Sequence, residues 1–239
     1  MIVVAETGST NDDMAALAGS GASEGLWLRA ERQTGGKGRA GRVWSSQSGN
    51  LHISTLVKRQ PGDPASHTLA LVAAVAAHAA VAELAPAIAV TIKWPNDLMV
   101  EQPASGSAKL CGMLLEARGD AVIVGFGMNV THAPEIEERT TTSLASCGAR
   151  ADSDAARTAE VLAEQFARWL DCWRREGLDR IRQAWLKAAH PVGTSLRVLL
   201  PDGTQAEGGF AGLAADGALL LMGRDGRQVV IHAGDVFAL

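Results

Sequence analysis

Residues 31–44 read Glu31-Arg-Gln-Thr-Gly-Gly-Lys-Gly-Arg-Ala-Gly-Arg-Val-Trp44, four glycines and four cationic side chains in one short loop. Glycine tolerates positive φ and close backbone approach, so Gly35, Gly36, Gly38 and Gly41 predict amides that converge on an anion. Lys37, Arg39 and Arg42 add full charge, and the arginine forks match phosphate oxygens in bidentate fashion. The string from Gly36 to Gly41 satisfies the dinucleotide fingerprint and, with Val43, the kinase glycine loop, but both fail on context. A dinucleotide loop opens directly into a helix, whereas this one leads through polar residues into strand-like Leu51-His-Ile-Ser-Thr-Leu-Val57. A kinase needs H-R-D and D-F-G downstream, and the sequence has neither. A Walker A loop fails too, because Lys37 is followed by glycine. The loop therefore joins two strands, residues 26–31 and 51–58.

Working outward, the chain of 239 residues is 47% hydrophobic and can bury a large core as one domain or as a large plus a small one. A formal charge of -4, with no cationic block outside the glycine loop, sets up no field for nucleic acid. Cys111, Cys147 and Cys172 lie far apart without a C-x-x-C, which argues against a disulfide framework or a zinc knuckle. The start, Met1-Ile-Val-Val-Ala-Glu6, lacks the basic and apolar regions of a signal peptide, so the cytoplasm is expected. Residues 65–82 carry no formal charge and approach the length of a bilayer span. Their alanine-rich composition reads instead as a buried helix and not a membrane segment, with Asp63-Pro64 as N-cap and first helical position.

The remaining pattern predicts a strand at 2–6, a helix capped near Ser9 and running to Ala18, and a strand at 90–94 stopped by Pro95. Residues 98–101 and 110–116 read as a hairpin joined by 102–108, followed by a strand at 121–130. The polar residues 131–152 predict a loop over or beside a site. Ser153 then caps an amphipathic helix whose Phe166, Trp169 and Trp173 are core residues, and 178–189 form a second helix. After Pro191 come short strands at 195–200, 205–212, 218–222 and 228–232 with close turns, the pattern of a small SH3-like β-barrel.

Four further patches accompany the glycine loop: Ser9-Thr10-Asn11, Lys93-Trp-Pro-Asn-Asp97, Lys109-Leu-Cys-Gly112 and Gly125-Phe-Gly-Met-Asn129. In this order, with Gln33 to Trp44 and Gly49-Asn50-Leu51 between them, the sequence resembles the biotin protein ligases across nearly its whole length. The resemblance implies an α+β fold, a mixed sheet with flanking helices of the class II synthetase-like kind, over residues 1–190, and an SH3-like domain over 191–239. It implies ATP and biotin as substrates, Mg²⁺, and a biotin carboxyl carrier protein domain of acetyl-CoA carboxylase or a related carboxylase as partner. Lys109 and Arg39 become the expected catalytic pair, with Ser9, Thr10, Asn11, Gln33, Gly36, Lys37, Gly38, Gly112 and Gly125 around biotin. Arg42, Trp44, Asn96, Asp97 and Asn129 join Arg39 around the nucleotide, Asp97 meeting Mg²⁺ through its water. Gly112 and Gly125 are expected to leave room for ligand against the sheet.

This chain departs from many relatives at Lys37, where Arg is frequent, at His52, where Tyr is common, and at Ala214, where Asp is frequent. It starts almost on the first patch, so neither the winged helix-turn-helix of some relatives nor DNA binding is expected. An edge strand could pair two copies into a homodimer. A lipoate ligase or lipoyl transferase shares the architecture, and a non-catalytic biotin or nucleotide sensor would share the pocket; the loop together with Lys93 to Asp97 favours biotin, and the charged set favours an enzyme.

Overall fold

The computed structural model describes residues 1–102, 106–136 and 139–238. Its larger sheet has seven strands in the order β1 (Ile2–Thr7), β2 (Trp27–Gln33), β3 (Leu51–Lys58), β7 (Ala121–Met128), β6 (Gly106–Arg118), β5 (Asp97–Gln102) and β4 (Val90–Lys93). β1 and β2 run parallel and the other neighbours antiparallel, as a mixed sheet requires. The expected hairpin forms as β5 and β6, although part of its connection, residues 103–105, lies outside the described residues.

Alternation along β7 decides which face holds the core and which holds the site. Val122, Val124, Phe126 and Met128 pack into the main core under α2 (Leu69–Leu84) and α3 (Ala155–Glu176). Ala121 and Ile123 point the other way, joining Met14 of α1 (Thr10–Gly19), Leu28 and Leu56 in a smaller cluster. Gly125 and Gly127 continue that second face, where the missing side chains leave a depression. Trp27, Phe126 and Phe166 tie α3 to the sheet with centroid separations of 6.1, 5.6 and 5.9 Å, two of the three contacts edge-on. Trp173 is in the core as expected, whereas Trp169 is only partly buried against it.

The apolar stretch Ser66–Leu84 is long enough to cross a bilayer, yet 67% of that window is buried in the protein, which makes it a core helix. Two expected caps are corrected. Asp63 accepts from Gln60 N at 2.9 Å and pairs with Arg174 at 3.3 Å, and the helix begins instead through a 3-10 turn at Ser66–Thr68. Ser153 donates to Leu84 O, while the next residue, Asp154, caps α3 by accepting from Arg157 N at 2.8 Å.

α4 (Leu178–Lys187) leads to a five-stranded antiparallel sheet in the order β11 (Gln228–Ile231), β10 (Leu219–Met222), β9 (Gln205–Leu213), β8 (Ser195–Leu199) and β12 (Asp235–Ala238). Four strands match the sequence reading; β12 does not appear in it. The small sheet docks on the larger part through Trp94 Nε1, which donates to Gly217 O at 3.3 Å, and through Arg39, described below.

Burial holds the imidazoles of His52, His78 and His190 below the ordinary histidine pKa. His52 Nδ1 is buried with no partner among the described residues. The unfolded chain takes up these protons near pH 6.5 and the folded chain refuses them, so their contribution to stability is full above that pH and is lost below it. The thermal midpoint should therefore fall between about pH 7 and about pH 5, above the range where carboxylates titrate. His52→Gln should flatten part of that slope; an unaltered slope would remove His52 from the account.

Candidate active site

The base of the glycine loop is pinned to β1, with Thr34 N donating to Thr7 O at 2.9 Å and Gly35 N to Gly8 O at 2.8 Å. Beyond it Lys37 and Val43 pair as a small clip, in which Gly38 N donates to Arg42 O at 2.7 Å and Trp44 N to Gly36 O at 2.9 Å. The expected use of the glycines is corrected here. Only Gly41 of the four has positive φ, at 73°, and Ala40 beside it also does, at 54°. Gly36 is needed for packing, because a Cβ there would sit 2.7 Å from Trp44 O, and it lies outside the cavity. The amides of Gly35, Gly38, Arg42 and Trp44 bond to backbone oxygens, which removes two of the four glycine amides, Gly35 and Gly38, from any nest for an anion.

The clip folds Trp44 flat across β6 and β7. Gly112 and Gly127 are cross-strand partners, and a Cβ on either would strike the indole, at 3.1 Å from Cζ3 for Gly112 and 2.6 Å from Cζ2 for Gly127. A Cβ on Gly125 would lie 2.9 Å from Asn11 Cγ and closer still to Oδ1. The space at Gly112 and Gly125, expected for ligand, is thus taken by Lys109, Trp44 and Asn11, which form the floor of a cavity of about 410 Å³. That volume lies within the range of small-molecule sites.

One end of the cavity is neutral and polar. Gln33 Oε1 accepts from Thr10 N at 2.8 Å and from Thr10 Oγ1 at 3.0 Å, and Gln33 Nε2 donates to Ser46 Oγ. Asn11 Nδ2 donates to Glu116 Oε2 at 2.8 Å and to Leu114 O. Ser9 also lines this end; it occupies the N-cap position of α1, but its side chain makes no capping bond.

The other end is charged. Lys109 Nζ stands 2.6 Å from Asp97 Oδ1 and 5.5 Å from the centre of the Trp44 ring. Arg39 donates to Asn96 Oδ1 at 3.4 Å and to Gly234 O at 3.3 Å, and Arg42 pairs with Asp235 at 2.9 Å. Burial lowers the pKa of Arg39 and of Lys93, whose ammonium lies 5.6 Å from the Phe237 ring centre. Lys37 leans outward to Asp12 at 2.6 Å in an exposed pair. Asn129 does not line the cavity: it is 2% exposed, and its Nδ2 donates to Thr142 O at 2.9 Å, fastening the 140s loop to the sheet. Ile136 and Arg139 from residues 131–152 border the opening, as expected for a loop beside the site; residues 137 and 138 lie outside the described residues.

Sequence reasoning missed Asp235 and Phe237, which reach the cavity from β12, and Ser54 beneath it. The available signal was the polar Ser54 on a strand buried from Leu51 to Val57.

A mixed sheet carrying a cavity that is neutral at one end and cationic at the other, with a small β module against the cationic end, marks an α+β protein with a site for a small molecule. Residues 9–129 match the model of the Biotin/lipoate A/B protein ligase family, to which this chain belongs, and residues 195–239 match the Biotin protein ligase C terminal domain. The chain is 35% identical to the biotin--[acetyl-CoA-carboxylase] ligase of Paracoccus denitrificans, over 98% of this chain and 99% of that protein. It is 36% identical to the enzyme of the same name from Mycobacterium tuberculosis, over 99% and 88% respectively. The biotin protein ligase of Aquifex aeolicus in complex with biotin and ATP superposes with a TM-score of 0.84 at 25% identity, over 100% of this chain and 98% of that one.

Proposed function

We propose that this chain is a biotin protein ligase that uses ATP to activate biotin and transfers it to a lysine of a biotin carboxyl carrier protein. The observation that carries this reading is the convergence of Lys109, Arg39 and Arg42 on the cavity whose opposite end is neutral and polar. Near full-length likeness to two biotin ligases supports it over lipoate transfer and over a sensor without catalysis. A carboxylate oxygen of biotin attacks the α-phosphorus of ATP, the bond to the β-phosphate oxygen breaks, and pyrophosphate leaves. The carrier amine then attacks the acyl carbon of biotinyl-5′-AMP, AMP departs, and the amine loses a proton to solvent.

Neither step uses a protein nucleophile, so the chain supplies alignment and charge. Lys109, held by Asp97, would bridge the biotin carboxylate and the α-phosphate; Arg39, Arg42 and Lys37 would meet the phosphates, with Asn96 orienting Arg39. Ser9, Thr10, Asn11 and Gln33 suit an uncharged cyclic urea. Mg²⁺ on a polyphosphate keeps much of its water and takes few protein carboxylates, a demand that Asp97, lining the cavity, fits. The ion would neutralise the leaving pyrophosphate. We place the boundary between the catalytic part and the β module at residues 190–191.

The decisive measurement is the mass of a carrier domain after incubation with this chain, MgATP and either biotin or lipoate. A mass gain with biotin alone is expected; a gain with lipoate alone would overturn the reading. The chain's net charge of -4 further supports a ligase that does not bind DNA. No biotin-dependent shift of operator DNA is expected, and a specific shift would refute that part.

A further inference from the structure

We propose that Ser54 is a positioning residue that fixes the hydrogen-bond polarity of the cavity's neutral end and so sets its affinity for a cyclic urea. This rests on the biotin reading above. Ser54 lies on β3, opposite Gly125 in register, and is 0% exposed, so it touches no ligand itself. Its Oγ is 2.7 Å from Asn11 Oδ1 and 2.7 Å from Thr10 Oγ1.

A hydroxyl has one proton to give. Asn11 is oriented by its Nδ2, which donates to Glu116 Oε2 and Leu114 O, so Asn11 Oδ1 can only accept. The Ser54 proton therefore goes to Asn11. It is shared with Thr10 Oγ1, which also accepts from Ser54, while the Thr10 proton goes to Gln33 Oε1 at 3.0 Å. With the Ser54 proton beneath them and the Thr10 proton on Gln33, Thr10 Oγ1 and Asn11 Oδ1 are left to turn lone pairs towards the cavity. A wall of acceptors fits the two N–H donors of a urea ring. The Ser9 hydroxyl, bound to no described residue, remains to serve the urea oxygen.

Gly125 belongs to the same device. Its added Cβ would collide with Asn11 at the amide that Ser54 holds, so glycine there lets Asn11 descend to the serine. Remove the Ser54 hydroxyl, and Thr10 Oγ1 and Asn11 Oδ1 both lose the donor that tethers them. The acceptors are then no longer held opposite the urea N–H groups, and binding weakens although every group that touches the ligand is retained.

The test measures biotin affinity of the full chain without ATP, together with KM for biotin, KM for ATP and kcat for pyrophosphate release. Ser54→Thr and Ser54→Val have nearly the same shape and differ by the hydroxyl. Thr should bind biotin close to wild type, and Val about tenfold more weakly, the worth of roughly one net hydrogen bond. KM for biotin should rise with that loss, while KM for ATP and kcat at saturating biotin stay put. Combining Ser54→Ala with Gly125→Ala should cost less than the sum of the two, because both release the same amide. Equal losses in Thr and Val, or wild-type affinity in Val, would overturn the inference. A wild-type chain that binds no biotin would instead overturn the functional reading on which it rests.

Discussion

Lys109→Ala should reduce biotin-dependent pyrophosphate release by about 10²–10³-fold, the usual cost of deleting one preorganised charge at a site of developing negative charge. The Lys109 side chain is 12% exposed and its ammonium sits beside Asp97, so it is held in place before substrate arrives. Removing it leaves a carboxylate 13% exposed without its counterion, which costs up to about 3 kcal/mol in stability. Activity and stability must therefore be separated. In Lys109→Ala/Asp97→Ala the thermal midpoint should recover while adenylate formation does not. Near-normal turnover in either variant, measured with MgATP and biotin, would remove Lys109 from the mechanism.

Gly127→Ala should weaken biotin binding by about 10–100-fold, equivalent to the 1–3 kcal/mol of a forced overpacking. The added carbon would lie 2.6 Å from Trp44 Cζ2 and 2.7 Å from Nε1, against the body of a ring that cannot bend away. The indole must leave the floor of the cavity, and the clip that carries it must follow. Trp44 is only partly buried, so the change in thermal midpoint should be small. Titration of biotin against the variant gives the direct reading, and Gly127→Ala/Trp44→Phe should restore part of the loss. Unchanged affinity would mean that the Trp44 wall does not shape the biotin site.

Much of the large sheet and of the cavity is legible in the sequence. Strands β2, β3 and β7 were legible because their apolar runs are bounded by turn residues, and the loop between β2 and β3 because glycine and charge coincide there. The site motifs named most of the cavity's lining, since each combines a special backbone residue with a polar side chain. The purpose of the glycines was harder to see. Gly112, Gly125 and Gly127 yield their space to Asn11 and Trp44, and no local pattern announces contacts between residues so far apart in the chain.

Helix starts at Asp63 and Ser153 were misplaced because a neighbouring polar residue or a 3-10 turn could serve as well, and tertiary partners took the side chains. Asn129 follows a glycine-rich strand of the site yet turns into the protein's own scaffolding, a choice made by the 140s loop packed on it. β12 escaped notice because it is four residues long, beginning right after the turn glycine Gly234 and holding two apolar side chains in succession. Asp235 was invisible for the same reason.

The bond from Arg39 to Gly234 O joins positions 195 residues apart. Closing so long a loop is entropically slow, and contacts of this span form late when a chain folds. The large sheet can assemble from nearer neighbours, but the cationic end of the cavity is expected to form only once the β module has folded and docked. Folding is thus expected to have an order: the neutral end of the cavity takes shape first, and the cationic end is completed last.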